Sequence, residues 1–412
     1  MRILLITNHF YPEEFRCNDL AFELSRRGHR VTVLTGIPDY PKGKFHEGYG
    51  IFKKRIERVQ GVKVLHSFII PRGDGGKIRL VLNYLSSLLA QCFDAVLLGL
   101  FGRYDYVLVH ETSPVMVGVP GVIVSKMKHI PMDFWVLDLW PESLQDAGGI
   151  NNKKVLGLFS KLTTWIYRHS RNILISSRGF RKSICEKGDF EGKIIYFPNW
   201  ADEALTGSEE CKVKSEKLPD GVKMPEGFKV MFAGNIGEAQ DMDNLMGAAL
   251  ALKEEKDIHF CIVGDGRKRP WVETFVKEHG LEDTVHLLGR HPIEAMPAFF
   301  AAADLMVVTL KDSKIFNRTA PAKLQAYMNA GKPIAAMMSG EGAAVVAEAQ
   351  CGFSVEAGNG KGLAELIVRM KHLDTSELEA MGAAGKRYCE ENFSFGKAVE
   401  TIEGLISQDD TD

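Results

Sequence analysis

The sequence has no cysteine pair at metal-ligand spacing, no low-complexity tract, no complete G-x-G-x-x-G and no excess of basic residues. Each absence removes a class of function. The seven cysteines (Cys17, Cys92, Cys185, Cys211, Cys261, Cys351, Cys389) are odd in number and scattered over 412 residues, so neither a disulfide framework nor a structural zinc site is expected, and a reducing cytoplasm fits. A net charge of −2 gives no electrostatic drive toward a phosphate backbone, and a nucleic-acid partner is set aside. GDGRKR at 264–269 holds only part of the dinucleotide fingerprint, which argues against an NAD enzyme. The apolar run in MRILLITNHFYP is too short for a signal peptide and reads as a first buried strand of a chain that starts at Met1. No cofactor is expected.

What is present is an ordinary globular composition, 45% hydrophobic and 25% charged, in a chain long enough for two domains. Short β-rich runs alternate with helical stretches: RILLITN, RVTVLTG, VKVLHSF, YVLVHE, PMDFWVLD, RNILISS and KIIYFPN. The alternation lapses into a polar stretch after Asn199 and resumes with FKVMFAGN, IHFCIVGDG, VHLLGR, LMVVTL, PIAAMM and GFSVEAG. Such alternation predicts α/β architecture with parallel sheets. The expected organisation is two doubly wound Rossmann-like domains, 1–199 and 228–393, joined by a linker over 200–227. The amphipathic segment 394–412 follows and is placed to cross back to the first domain. Both sheets are expected to turn their carboxyl edges to a common cleft, where open α/β sheets bind ligands.

The segment Lys311–Pro333, KDSKIFNRTAPAKLQAYMNAGKP, reads as a polar loop after a strand and then a helix with Pro321 in its first turn. Free N–H groups at that helix start, with Arg318 and Lys323 beside them, suit a diphosphate. The plainer reading is a surface helix with solvated charges. Asp241 and Asp243 form a D-x-D but open a helix, where aspartates cap, so no metal is expected. Ile78–Phe101 is long enough to span a bilayer, yet Asn83, Gln91 and Asp94 interrupt it. A helix that packs partly on the sheet and partly dips into a membrane surface, flanked by Lys77, Arg79 and Arg103, is the favoured reading, against a buried core helix.

APAKLQAYMNAGKPIAA resembles the donor-binding helix of retaining family 4 glycosyltransferases, and FAGNIGEAQDMDNL, IVGDGRKRPWVE, LLGRHP and AAADLMVV match that family in order. The resemblance implies the GT-B fold and a nucleoside-diphosphate sugar as donor, with UDP the expected nucleotide. The two glutamates usual in the family, eight positions apart, are replaced by Asn317 and Gln325. Gln325 then falls on the ribose and Asn317 on the sugar. Asn235 meets the donor diphosphate, Arg267 lies near the base, and the backbone around Arg290 reads the base edge.

In the first domain DLWPES, with Asp138 and Glu142 just past a strand, resembles a hexapeptide of O-antigen and capsule transferases, among them those assigned L-fucosamine transfer. HFYPEE and TGIPDYPKGK match the same branch and sit on loops suited to an acceptor. The implied protein moves a sugar, an N-acetylated deoxyhexosamine being one candidate, to a lipid-linked saccharide at the inner face of the cell membrane. Arg318 and Lys323 would stabilise the leaving diphosphate, while Asp138 and Glu142 orient the acceptor hydroxyl. Two rivals remain: a nucleotide-sugar 2-epimerase of the same fold, and an inactive scaffold in a polysaccharide assembly complex.

Overall fold

A computed structural model describes residues 1–73, 75–146, 149–201 and 217–407. Most of the expected linker, 202–216, therefore lies outside the described residues, as does the end of the closing segment. The chain divides into two compact units, Met1–Pro198 with Gly396–Asp412, and Asn199–Phe395.

The first unit is built on eight strands: β1 (Arg2–Thr7), β2 (Arg30–Gly36), β3 (Ile56–Val59), β4 (Val62–Ser67), β5 (Tyr106–Glu111), β6 (Met132–Val136), β7 (Ile173–Ile175) and β8 (Ile194–Tyr196). Their order is β3-β4-β2-β1-β5-β6-β7-β8. All pairings are parallel except β3 with β4. Helices α1 (Arg16–Arg26), α2 (Lys77–Phe101), α3 (Gly118–Lys128), α4 (Glu142–Asp146), α5 (Lys153–His169) and α6 (Phe180–Cys185) connect them. Strands such as β5 and β6 are buried at every position, which is why they read as unbroken apolar runs rather than alternating ones. Strand β3 escapes that reading because IERV is a half-exposed edge. It is fastened by a two-residue turn, Gln60–Gly61, with φ of 47° and 83°.

The second unit has six parallel strands: β9 (Phe228–Ala233), β10 (Ile258–Val263), β11 (Val285–Gly289), β12 (Leu305–Thr309), β13 (Ile334–Met337) and β14 (Gly352–Val355), in the order β11-β10-β9-β12-β13-β14. Around them lie α7 (Met242–Ala251), α8 (Arg269–His279), α9 (Met296–Ala302), α10 (Ala322–Asn329), α11 (Glu341–Glu348), α12 (Gly360–Lys371) and α13 (Thr375–Asn392). The closing helix α14 (Phe395–Ser407) packs with the first unit: Glu403 meets Arg27 at 2.8 Å and the Leu405 carbonyl accepts from Arg171 at 3.0 Å.

In each sheet the first strand has its successors on one side and later strands on the other. The order therefore reverses between β1 and β5 in the first unit and between β9 and β12 in the second. Loops at such a reversal splay apart beyond the carboxyl edge and leave a crevice. The chemistry should be sought there.

Helix α2 is turned inside out. Asn83, Ser87, Gln91 and Ala95 are buried, whereas Ile78, Leu82, Leu85, Leu89, Phe93 and Leu100 form an exposed apolar stripe at three- and four-residue spacing. Its polar groups bind the layer beneath: Asn83 donates to the Ile70 carbonyl at 2.7 Å, Gln91 to Thr7 at 3.3 Å, and Asp94 accepts from Ser67 at 2.6 Å. The interruptions seen in the sequence thus anchor the helix to the first unit. Neither a free bilayer span nor a buried core helix describes it, since Leu89 and Phe93 are 70% and 66% exposed.

Candidate active site

At the reversal of the second sheet the chain is drawn into unusually close contact. The turn after β9 begins at Gly234 (φ 135°) and the turn after β10 at Gly264 (φ 140°), and a Cβ on Gly264 would lie 1.9 Å from the Gly234 carbonyl oxygen. Only glycine fits. These turns, with Asn235, Asp265, Gly266, Arg267, Arg290, His291 and Met296, line an open cleft at the ends of β9, β10 and β11. Asn235, Arg267 and Arg290, far apart in sequence, are brought together.

The cleft adjoins the start of α10 at Gly234, where a Cβ would lie 2.5 Å from Lys323 Cε. Lys323 is the second residue of α10, one position closer to its start than a helix beginning at Pro321 would make it; Pro321 is the cap residue. Its Nζ lies 3.9 Å from the centroid of the Phe232 ring and donates to Gln240 Oε1 at 2.5 Å. Burial lowers its pKa to about 7. Helix α10 is itself pinned to β9, where the Tyr327 hydroxyl accepts from the Ala233 N–H at 2.8 Å and donates to the Ala233 carbonyl at 2.9 Å. The first N–H groups of a helix lack intrahelical acceptors, so a cation and backbone donors converge on one place. Arg318 ends the short turn Phe316–Arg318 just ahead of that helix.

Other expected donor residues are engaged differently. Asn317 donates to Asp312 Oδ1 at 2.7 Å. Gln325 is buried and gives one Nε2 hydrogen to the Asn199 carbonyl at 3.0 Å, which leaves its second N–H and its Oε1 without a partner among the described residues. Asp241 occupies the cap position of α7 in the left-handed region (φ 47°), but its carboxylate accepts from the Asn244 side chain at 3.0 Å rather than from a backbone N–H. Asp243 faces Lys268 at 3.1 Å. Lys311 is bound to Glu238 at 2.8 Å. Among the described residues no group of three or more His, Cys, Asp or Glu is arranged to hold a metal ion.

The first unit's reversal is closed by its own side chains. Glu13 Oε1 accepts from the backbone N–H groups of Asp39 and Tyr40 at 2.7 Å each, which ties the HFYPEE loop to the TGIPDYPKGK loop. Its Oε2 meets His9 Nδ1 at 2.6 Å, and His9 Nε2 accepts from Arg72 at 2.6 Å. Arg72 also lies near the rings of Tyr40 and Tyr84, at 5.7 and 5.9 Å, and near the Asp39 carboxylate at 3.9 Å. Nothing in its sequence setting singled Arg72 out.

Asp138 follows β6, accepts from the Ser143 hydroxyl, and has its pKa raised by burial. Glu142 does not share that setting. Its carboxylate takes the Lys187 ammonium at 2.6 Å and the Ser183 hydroxyl, and the Lys187 contact helps hold its pKa down despite burial. Through Oε1 it braces α4 against α6, and its buried Oε2 has no hydrogen-bond partner among the described residues. The residue missed here is Glu111, the last of β5. Fully buried, it accepts the backbone N–H groups of Leu137 and Asp138 at 3.3 and 3.2 Å, and burial raises its pKa well above the carboxylate range. Its only signal was an acid ending an apolar strand.

Comparison with known proteins agrees with this division. Residues 14–200 match the family of glycosyl transferase 4-like domains, and residues 227–372 match glycosyl transferases group 1. A probable glycosyltransferase, WbjE of Pseudomonas aeruginosa, is 28% identical over 82% of this chain and 83% of its own. The putative colanic acid biosynthesis glycosyl transferase WcaI of Escherichia coli K12 is 24% identical over 76% of this chain and 77% of its own. Among solved structures, Anabaena HepE in complex with UDP superimposes with a TM-score of 0.72 at 16% identity, covering 99% of this chain and 100% of that one. WaaG, a glycosyltransferase involved in lipopolysaccharide biosynthesis, gives 0.64 at 14% identity, covering 98% of this chain and 100% of that one. With one family domain on each unit and the fold shared end to end, the chain is a glycosyltransferase of the GT-B fold.

Proposed function

We propose that the protein moves a sugar from a nucleoside-diphosphate donor, UDP-linked, to a lipid-linked saccharide in the assembly of a surface polysaccharide, with retention of the anomeric configuration. The observation that carries this reading is Lys323: a half-buried cation with no carboxylate partner among the described residues, at a helix start beside glycine turns. UDP in the HepE complex and the polysaccharide pathways named for WcaI and WaaG support the donor and product class.

In this reading the base lies along Arg267 and the Arg290 turn, and Gln325 Oε1 accepts from the ribose. The diphosphate meets Lys323, Arg318 and the first N–H groups of α10. As the bond from the anomeric carbon to phosphate breaks, negative charge grows on the departing diphosphate, and these pre-oriented donors stabilise it more than they stabilise the ground state. The leaving phosphate takes the acceptor proton on the same face, which preserves configuration. Asp138, held by Ser143, orients the acceptor hydroxyl.

The α2 stripe is the surface we assign to the inner face of the cytoplasmic membrane. An acceptor on a lipid carrier never leaves the bilayer, and an apolar stripe with Arg79 and Arg103 near its ends suits anionic headgroups.

Purified protein with a panel of UDP-sugars, assayed for UDP release with and without lipid-linked saccharides, tests the reading. Acceptor-dependent release with a retained linkage by NMR is expected. Turnover of donor without acceptor points instead to the 2-epimerase, and no nucleoside-diphosphate binding by calorimetry to the scaffold.

A further inference from the structure

The loop between β9 and α7 contains a residue with no assigned part, and its position ties two separate elements of the donor site together. Gln240 is fixed by its own backbone before its side chain does anything: its carbonyl accepts the hydroxyl of the buried Thr309 at the end of β12, and its N–H donates to Gly237 at 3.1 Å. One residue earlier, the Ala239 carbonyl accepts the Lys311 N–H at 3.0 Å. The side chain therefore projects from a fastened loop, and its Oε1 takes the Lys323 ammonium at 2.5 Å. Lys323 has no other polar contact among the described residues. The alkyl stem lies against Gly234, where any larger residue would displace it, and the ammonium sits over the Phe232 ring.

We infer that Gln240 is a positioning residue: it holds Lys323 aimed at the donor diphosphate without cancelling its charge. The inference rests on the donor-site reading above. An amide is suited to this task in a way that a carboxylate is not. A neutral acceptor orients the ammonium and leaves the full positive charge for an incoming anion. A glutamate would orient it equally well and neutralise it.

The charged groups around the pair are otherwise committed. On the same loop Glu238 is bound to Lys311 and lies 3.7 Å from Lys268, and Asp241 is bound to Asn244; on α7 Asp243 is bound to Lys268. On the loop past β12 Lys311 is held by Glu238, and Arg318 stands ahead of α10. None of these supplies Lys323 with a counter-ion, so a bound diphosphate would be its first. Binding should then draw in a proton wherever Lys323 is partly neutral in the free protein, that is, at and above about pH 7.

The test uses UDP binding to the full chain by titration calorimetry from pH 6 to pH 9, in pairs of buffers with different ionisation enthalpies, for wild type, Gln240→Ala and Gln240→Glu. Wild type should lose affinity above about pH 7 and take up a proton on binding. In Gln240→Ala the ammonium loses its acceptor. The fall in affinity should begin at lower pH, leaving UDP about tenfold weaker at pH 8 and closer to wild type at pH 6. Gln240→Glu keeps Lys323 in place and charged, so the proton uptake near pH 8 should vanish while affinity drops at every pH. A merely structural Gln240 would lower melting temperature without moving the pH profile. Identical profiles and proton uptake in all three proteins would overturn the inference while leaving the donor site standing. Failure of wild type to bind UDP or any other nucleoside diphosphate would overturn the donor-site reading and the role of Gln240 with it.

Discussion

The two sheet edges hold their charge in opposite ways. At the reversal of the first sheet the acids are numerous and bound within the unit: Glu13 by two backbone N–H groups and His9, Glu142 by Lys187 through Oε1, and Glu111 by the backbone of the Asp138 turn through Oε2, while Glu142 Oε2 and Glu111 Oε1 are buried without a hydrogen-bond partner among the described residues. At the reversal of the second sheet the loops are glycine backbones drawn close together, and the central cation, Lys323, rests on an amide and an aromatic face. A group of buried acids has nothing to gain from an anion. An uncompensated cation does, because burial without a counter-ion costs free energy that a phosphate would return. Under the proposed function that difference gives the charged donor to the second unit and leaves the hydroxyl-bearing acceptor to the first.

The sharpest break in that comparison is expected on the outer face of the first unit. Leu89→Glu with Phe93→Glu should abolish sedimentation with anionic vesicles at low salt. The pair removes two exposed apolar side chains worth roughly 3–6 kcal/mol of partition, a hundredfold or more. Leu98 is a poor choice for such a variant, since it packs against the buried core of the first unit and its loss would unsettle the fold. Wild type that stays in the supernatant at low salt would remove the membrane assignment.

Lys323→Ala tests the charge of the second unit directly. Losing one pre-oriented donor to a developing anion costs about 10²–10³ in rate, roughly 3–4 kcal/mol, and should fall mainly on kcat. Lys311→Ala removes a half-exposed lysine from a screened pair with Glu238 and should cost under about 1 kcal/mol. Steady-state kinetics on both variants decide it: equal, mild losses would dissolve the contrast between the two edges.

How far this was readable in advance follows from which forces are local. The thirteen parallel strands were legible because each is a short β-rich run between helical stretches, and the central ones are buried on both faces, whereas β3 was not, since an exposed edge of four residues carries no apolar signature. Lys323 was legible from the helix start that follows a polar loop. Its partner was not, because Gln240 lies 83 positions away and only the adjacency of β9 and β12 brings them together. Glu111 and Arg72 were hidden for the same reason: an acid at a strand end and an arginine in a glycine-rich loop look like solvated residues until the chain buries them. The polarity of α2 shows the converse case. Asn83, Gln91 and Asp94 were visible as interruptions, but nothing local says that they face inward and leucines outward.

A smaller effect is expected at Glu111. Its folded pKa is raised above the unfolded value, so its favourable contribution is complete below about pH 4.5 and declines as pH rises toward the folded value. At neutral pH the unfolded chain gains by ionising the group and the native one does not. Glu111→Gln keeps an oxygen for the Leu137 and Asp138 N–H groups and removes that titration. Urea unfolding at pH 5 and pH 8 should therefore show a flatter pH dependence in the variant and a higher midpoint than wild type at pH 8. An unchanged slope would mean that Glu111 is ionised in the fold, and that the first sheet edge carries more negative charge than the comparison allows.

The smallest expected effect is none. Transfer should persist in excess EDTA, because the groups that would receive the diphosphate are cationic and backbone donors, and the two aspartates of the D-x-D are already spent. Asp241 is committed to Asn244 and Asp243 to Lys268. A divalent ion bridging phosphates would need both carboxylates turned out together, at the cost of those contacts and of the left-handed backbone that sets Asp241 at the start of α7. Initial rates measured before and after chelation, then with Mg²⁺ or Mn²⁺ restored, give the answer. Full loss and full recovery would make the second unit an acidic metal site like many others, and the cation at Lys323 would no longer be what distinguishes its edge from the first.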